Sequence, residues 1–268
     1  MDSFSSRLAA AVGEYGQLVV GIDPSEATLG DWGLPDTAQG ARDFGYELIT
    51  ACEERVGIVK PQIAYFERFG SAGFLALEDV LEAARDANLF VISDAKRGDI
   101  GTTMQGYAQA WFGDDSPLRS DALTLSPYLG PSSLSDTIEA ARDVKSGVFI
   151  LAATSNPEAE QLQQAKSNGR SVSERVLRFA TEHSSGDVGI VVGATLELEQ
   201  FGIEHLRETD VEVPILAPGF GAQGAQLSDL AALFGASRHR VLANVSRSVV
   251  SQGPDKLVSQ IDKLKEQL

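Results

Sequence analysis

Leu89-Phe90-Val91-Ile92-Ser93-Asp94-Ala95-Lys96-Arg97-Gly98-Asp99-Ile100-Gly101-Thr102-Thr103 is an apolar run that ends abruptly in charge. Its first half suits a buried strand, because a strand covered on both faces reads as a continuous apolar stretch. Two carboxylates then surround one lysine. In extended backbone alternate side chains share a face, so Asp94 and Lys96 are expected to project to the same side. An ammonium held beside a carboxylate stays charged and oriented, as proton delivery to a substrate carbon requires. A surface turn with an incidental ion pair fits the triplet equally well, so the surrounding sequence has to decide.

Working outward, runs of the same apolar, often β-branched kind occur at 18–22, 56–60, 89–93, 122–125, 148–152, 188–192, 213–217 and 241–245. Helix-like segments separate them. Residues 79–88 place Val80, Leu81, Ala83, Ala84 and Ala87 at helical spacings, and 134–144 behaves similarly. Eight strands alternating with helical crossovers predict a closed (β/α)8 TIM barrel, an α/β fold, occupying 1–268 as one domain. A doubly wound open sheet is the competing architecture. Two connections depart from regular spacing. Residues 157–185 are long and polar and are read as an extended connection and candidate lid. Pro218-Gly219-Phe220-Gly221-Ala222-Gln223-Gly224 places three glycines in seven residues, as a loop needs when its backbone approaches a ligand.

The 268 residues carry a formal net charge of −16, which argues against non-specific partners such as nucleic acid or an anionic membrane. A local positive site for an anionic small molecule remains compatible with that charge. The N-terminus shows no basic region followed by an apolar core, so a cytoplasmic location is expected. Cys52, the one cysteine, is expected to be a small core residue. His183, His205 and His239 fall at no strand end, no pair has metal-ligand spacing, and surface or capping roles are expected.

In a closed barrel the carboxyl ends of the strands build the active site. Those ends collect Asp23 from the first run, Lys60 from the second, and Asp94 and Lys96 from the third, with Asp99 just beyond. The fifth gives Thr154, Ser155 and Asn156, and the seventh the glycine loop with Gln223. The eighth gives Arg247. Burying so many charged groups without pairing or a ligand would be costly. Loops after strands seven and eight often hold phosphate in barrel enzymes, and here they carry Gly219, Gly221, Gln223 and Arg247. The arginine fork matches phosphate oxygens.

The segment Asp94-Ala95-Lys96-Arg97-Gly98-Asp99-Ile100-Gly101-Thr102-Thr103 resembles the signature of orotidine 5'-phosphate decarboxylase, most closely the longer bacterial subtype of that family. The resemblance runs from Val20-Gly21-Ile22-Asp23 to Ser246-Arg247-Ser248. It implies that Asp23 and Lys60 bind the ribose hydroxyls and join the charged array. It implies that Asp94 lies next to the departing carboxyl group and that Lys96 is the proton donor. Asp99 and Thr103 match a segment lent by the neighbouring subunit of a homodimer. Ser155 matches a serine that contacts the pyrimidine, and Gln223 and Arg247 the phosphate clamp. Ala225 departs from the pattern, since relatives often carry a second glycine there.

The implied reaction removes CO2 from orotidine 5'-phosphate to give UMP, with no cofactor and no metal. A metal-dependent sugar-phosphate decarboxylase or aldolase of the same superfamily shares the Asp-x-Lys-x-x-Asp pattern. Such enzymes carry a glutamate at the second strand end for magnesium, where this chain has Lys60. A non-catalytic phosphate-binding barrel is the other alternative, and it would be expected to lack Lys96 or one of the aspartates.

Overall fold

The structure is a computed structural model that describes residues 2–268. Eight parallel strands close into a barrel: β1 Leu18–Ile22, β2 Ile58–Pro61, β3 Phe90–Arg97, β4 Ala122–Leu125, β5 Gly147–Ala153, β6 Val188–Val192, β7 Ile215–Pro218 and β8 Val241–Val245. Neighbours in sequence are neighbours in space, and β1 pairs with β8 from Leu18↔Ala243 to Val20↔Val245. That closing pair rules out the open sheet. Helices cover the outside, the longest being Ala38–Cys52, Gly70–Asp86, Gly101–Phe112 and Val172–His183.

The strands are apolar on both faces because one face packs on the helices and the other fills the barrel. Val19, Ile58, Phe90, Ile92, Ala122, Phe149, Val191, Leu216 and Leu242 form the interior cluster. Phe4 and Leu8, on the helix Phe4–Tyr15, join that cluster and plug the amino-terminal end of the barrel. Phe4 meets Phe90 edge to face at 5.4 Å. Arg7 of the same helix pairs with Asp121, whose other oxygen accepts the Val91 N–H at 2.8 Å. Two residues further along several strands, the inward column turns polar. Ile58 gives way to Lys60, Ile92 to Asp94, Ala122 to Thr124 and Leu242 to Asn244. This switch of chemistry at constant parity leaves the plugged end dry and makes the other end a site.

The strand edges differ from the sequence expectation where local chemistry intervenes. β7 starts at Ile215 rather than 213, because Pro214 has no N–H to offer the ladder and supplies only its carbonyl, to the Ile190 N–H at 3.0 Å. β3 continues past 93 to Arg97, through a register shift against β4 between Ser93 and Arg97. The long connection 157–185 is more ordered than an extended loop. It contains a short helix Glu160–Gln163 and a hairpin pairing Lys166–Ser167 with Arg170–Ser171. Helix Val172–His183 then fills most of the remainder. Asn168 and Gly169, both at positive φ, make the hairpin turn. Ser171 caps the helix by accepting the Glu174 N–H at 2.9 Å, a signal already present in Ser-Val-Ser-Glu.

Candidate active site

Asp94 is the hub at the carboxyl end of the barrel. Its Oδ1 accepts from Lys96 Nζ at 2.7 Å and from Thr124 Oγ1 at 2.9 Å. Its Oδ2 accepts from Lys60 Nζ at 3.2 Å and from Gln62 Nε2 at 2.9 Å. Burial alone would raise the Asp94 pKa, but the Lys60 and Lys96 charges and the Lys96 and Thr124 hydrogen bonds outweigh it. The carboxylate is held well below its ordinary range. Lys60 is buried; desolvation pulls its pKa down, while Asp94 and Asp23 more than reverse that and leave it raised. Asp23 Oδ1 lies 3.9 Å from Lys60 Nζ and has no hydrogen-bond partner although it is buried. Asp23 lines the cavity, and this oxygen has unused acceptor capacity.

Asp94 and Lys96 do meet, though regular strand alternation does not bring them together. Lys96 has φ +47, in the left-handed region that residues with a Cβ rarely adopt. The turn falls inside the register shift of β3 and brings the ammonium back over its neighbour two positions earlier.

A cavity of about 300 Å³ opens above this array. Asp23, Lys60, Asp94, Lys96 and Ser155 line it on one side and Gly219, Gln223 and Arg247 on the other. Gly219, Gly221 and Gly224 have φ of +116, +72 and +119. At Gly221 a Cβ would also lie 2.3 Å from Ser248 Oγ, so glycine is required there twice over. Ser248 Oγ accepts the Ala222 N–H at 3.0 Å and thereby ties the loop to the turn that carries Arg247. Ala225 is not among the positive-φ residues, so this backbone has no need of a second glycine there. Arg247 is exposed and forms no ion pair among the described residues.

Asp99 and Thr103 are not brought into the cavity of their own chain. Asp99 Oδ1 accepts the Ile100 N–H at 2.8 Å, and Thr103 is exposed on the first turn of the helix Gly101–Phe112. The histidines lie away from the site: His183 stacks on Phe179, and His239 pairs with Asp210 at 3.3 Å. Cys52 is buried, which pushes its thiol up to about 12, an inert state. Gln62 and Thr124 were missed by sequence reading. The signal was available: each lies on the inward parity of its strand, two residues past Lys60 and Ala122.

A sequence model of the orotidine 5'-phosphate decarboxylase / HUMPS family matches residues 16–260. Orotidine 5'-phosphate decarboxylase of Streptomyces coelicolor is 46% identical over 261 residues, covering 95% of this chain and 92% of the relative. The enzyme of the same name from Corynebacterium glutamicum is 44% identical over 262 residues, with 94% and 92% covered. The chain belongs to the orotidine 5'-phosphate decarboxylase family. A crystal structure from Streptomyces avermitilis, assigned provisionally to the same enzyme, superposes with a TM-score of 0.93 at 43% identity. It covers 100% of this chain and 95% of that one. Leishmania donovani UMP synthase gives a TM-score of 0.81 at 31% identity, with 100% of this chain matched to 56% of that larger protein. As a member of this decarboxylase family the protein is a lyase that decarboxylates orotidine 5'-phosphate in pyrimidine biosynthesis.

Proposed function

We propose that Lys96 protonates carbon 6 of the pyrimidine as CO2 departs, within a fixed array of Lys60, Asp94 and Lys96. The observation that carries this is the Asp94 carboxylate gripped by both lysines at 3.2 and 2.7 Å. The bond between carbon 6 and the carboxyl carbon breaks, its electron pair stays on carbon 6, and Lys96 Nζ supplies the proton. UMP and CO2 result, and solvent returns the proton to the lysine. The ring offers no conventional electron sink at carbon 6, so the developing charge has to be met electrostatically.

Asp94, kept ionised, faces the substrate carboxylate on this reading. Two such charges about 4 Å apart repel by about 4 kcal/mol at an effective dielectric of roughly 20. A highly proficient enzyme needs ~20 kcal/mol, so the larger share falls to ribose and phosphate contacts that orient the substrate. Asp23 and Lys60 take the ribose hydroxyls, Ser155 the pyrimidine, and Gly219, Gly221, Gln223 and Arg247 the phosphate. Among the described residues no group of three or more His, Cys, Asp or Glu is placed to hold a metal ion, and Lys60 Nζ lies between the two nearest carboxylates. The ammonium between those carboxylates supports a metal-free reading, on which activity is expected to persist in EDTA.

Asp99 and Thr103 serve the partner's site in a homodimer on this reading. Their own cavity does not include them, and the surface around them is apolar: Ile100 is 62% exposed, and Tyr128 and Leu129 on the loop after β4 are 75% and 53% exposed. The two loops touch, since a Cβ on Gly98 would lie 2.4 Å from Ser126 O. The phosphorylated substrate and product do not cross membranes unaided, which fits a cytoplasmic enzyme. Among the described residues no helix is long and apolar enough to span one.

The test mixes Lys96→Ala and Asp99→Ala proteins, each nearly inactive alone, under conditions of subunit exchange followed by native mass spectrometry. Random exchange makes about half the dimers mixed, and roughly a quarter of all sites then regain both groups. No recovery despite demonstrated exchange would rule out the shared site.

A further inference from the structure

We propose that Thr124 is a positioning residue that holds Lys96 in its proton-delivering conformation, by fixing the Lys96 backbone and the Asp94 carboxylate with one hydroxyl. The proposal rests on the reading of Lys96 as the proton donor. Lys96 lies in the left-handed region, at φ +47, inside an irregular stretch of β3. A lysine does not hold that backbone unaided, and the surrounding structure has to impose it. Its N–H has lost its regular ladder partner and donates instead to Thr124 Oγ1 at 2.9 Å. The threonine proton points onward to Asp94 Oδ1 at 2.9 Å. The direction of both bonds is unambiguous, because an amide only donates and a carboxylate only accepts. Lys96 Nζ reaches the same Oδ1 at 2.7 Å. The main chain of Lys96, the hydroxyl, the carboxylate and the Lys96 ammonium therefore form one closed ring.

Thr124 is 1% exposed, projects inward from β4 and is among the residues that line the cavity. β3 and β4 run side by side, with Ile92 opposite Ala122 and Ser93 opposite Leu123. Past that point the ladder stops until Arg97 meets Leu125, and the threonine hydroxyl bridges the gap. Valine at 124 would keep the shape and remove the bridge. The Lys96 N–H would then lose its hydrogen-bond partner, and the kink would be free to relax toward regular strand geometry, carrying the ammonium away from carbon 6.

The experiment compares Thr124→Val, Thr124→Ser and Lys96→Ala in steady-state kinetics, with UMP affinity and thermal midpoint measured alongside. Misplacing a reacting group by about 1 Å costs on the order of 100-fold in rate. Thr124→Val is therefore expected to lose about 10- to 100-fold in kcat while KM and UMP affinity stay within about 3-fold. Thr124→Ser, which keeps the hydroxyl, is expected to stay within about 3-fold of the parent enzyme in kcat. If the valine protein does not fold, Thr124→Ala against Thr124→Ser makes the same comparison. Valine or alanine activity equal to the parent, or serine impaired as badly as valine, would overturn the proposal. Substantial activity in Lys96→Ala would instead overturn the donor reading beneath it, so the two failures are distinguishable.

Discussion

The two walls of the cavity are built on opposite plans. On the β1–β4 side the hub is buried and already satisfied: the Asp94 side chain is 11% exposed, and four donors surround it. On the β7–β8 side Gln223 and Arg247 are exposed, the backbone is glycine-rich, and Arg247 has no ion-pair partner among the described residues. On the proposed reading, the first wall is organised before substrate arrives, and the second is completed by it. A group that acts on developing charge gains from being fixed in advance, because no reorganisation is then needed in the transition state. A phosphate clamp has to admit and release its ligand, and a polar loop with an unpaired arginine suits that cycle.

Mutations on the two walls should therefore separate kcat from KM. The largest effect is expected for Lys96→Ala, which should lower kcat by roughly 10⁴-fold, the upper end for a general acid, while UMP still binds. Single-turnover rates beside UMP titrations measure both, and a proportionate loss of UMP affinity would erase the contrast.

Asp94→Asn tests pre-organisation as stability. Removing one partner of a buried ion pair typically costs about 3–5 kcal/mol, and denaturant unfolding at pH 7 should show a loss of that order. The Asp94 pKa is depressed in the folded state, so its contribution is present above the unfolded value of 3.8 and fades as pH falls through the lower folded value. The gap between parent and variant should stay constant from pH 7 to about 5 and narrow only in stronger acid. A gap that closed near neutrality would mean the carboxylate is not held ionised.

On the other wall, Arg247→Ala should weaken substrate and UMP by about 10- to 100-fold, as expected for one charge-assisted contact, and leave kcat at saturation far less affected than Lys96→Ala does. Unchanged affinities would remove Arg247 from the clamp. The smallest effect is expected for Ser248→Ala, which frees the glycine loop from the arginine turn. A neutral hydrogen bond of this kind corresponds to about a 3- to 10-fold rise in KM. That rise should vanish when orotidine, lacking the phosphate, is the substrate.

Much of this was legible in the chain. Apolar runs separated by helical periodicity gave the strand count and favoured the barrel over an open sheet, because a parallel strand buried on both faces leaves an unbroken apolar signature. The chemistry at the strand ends was equally readable, since Asp23, Lys60, Asp94, Ser155, Gly219, Gln223 and Arg247 follow directly on those runs. Less was readable where a position depends on another strand. Neither Gln62 nor Thr124 carries a charge or a motif, and each matters only because strand pairing brings it against Asp94. The connection 157–185 looked loop-like from its polarity, yet its second half is an amphipathic helix whose apolar face needs the barrel to be seen.

Residue order alone determined that Asp94 and Lys96 lie two apart at the end of a strand, and that glycines precede Gln223. The sequence could not determine the shape of the backbone between Asp94 and Lys96. Local preference favours extended backbone there, and only the neighbouring strand, by offering Thr124 Oγ1 to the Lys96 N–H, holds that lysine in a left-handed turn. The same holds for Asp99, whose carboxylate stands outside its own cavity although it is three residues from Lys96. Short-range propensity sets which elements form, but contacts between residues distant in sequence decide where their polar groups point, because a buried donor or acceptor has to find its partner wherever the fold supplies one.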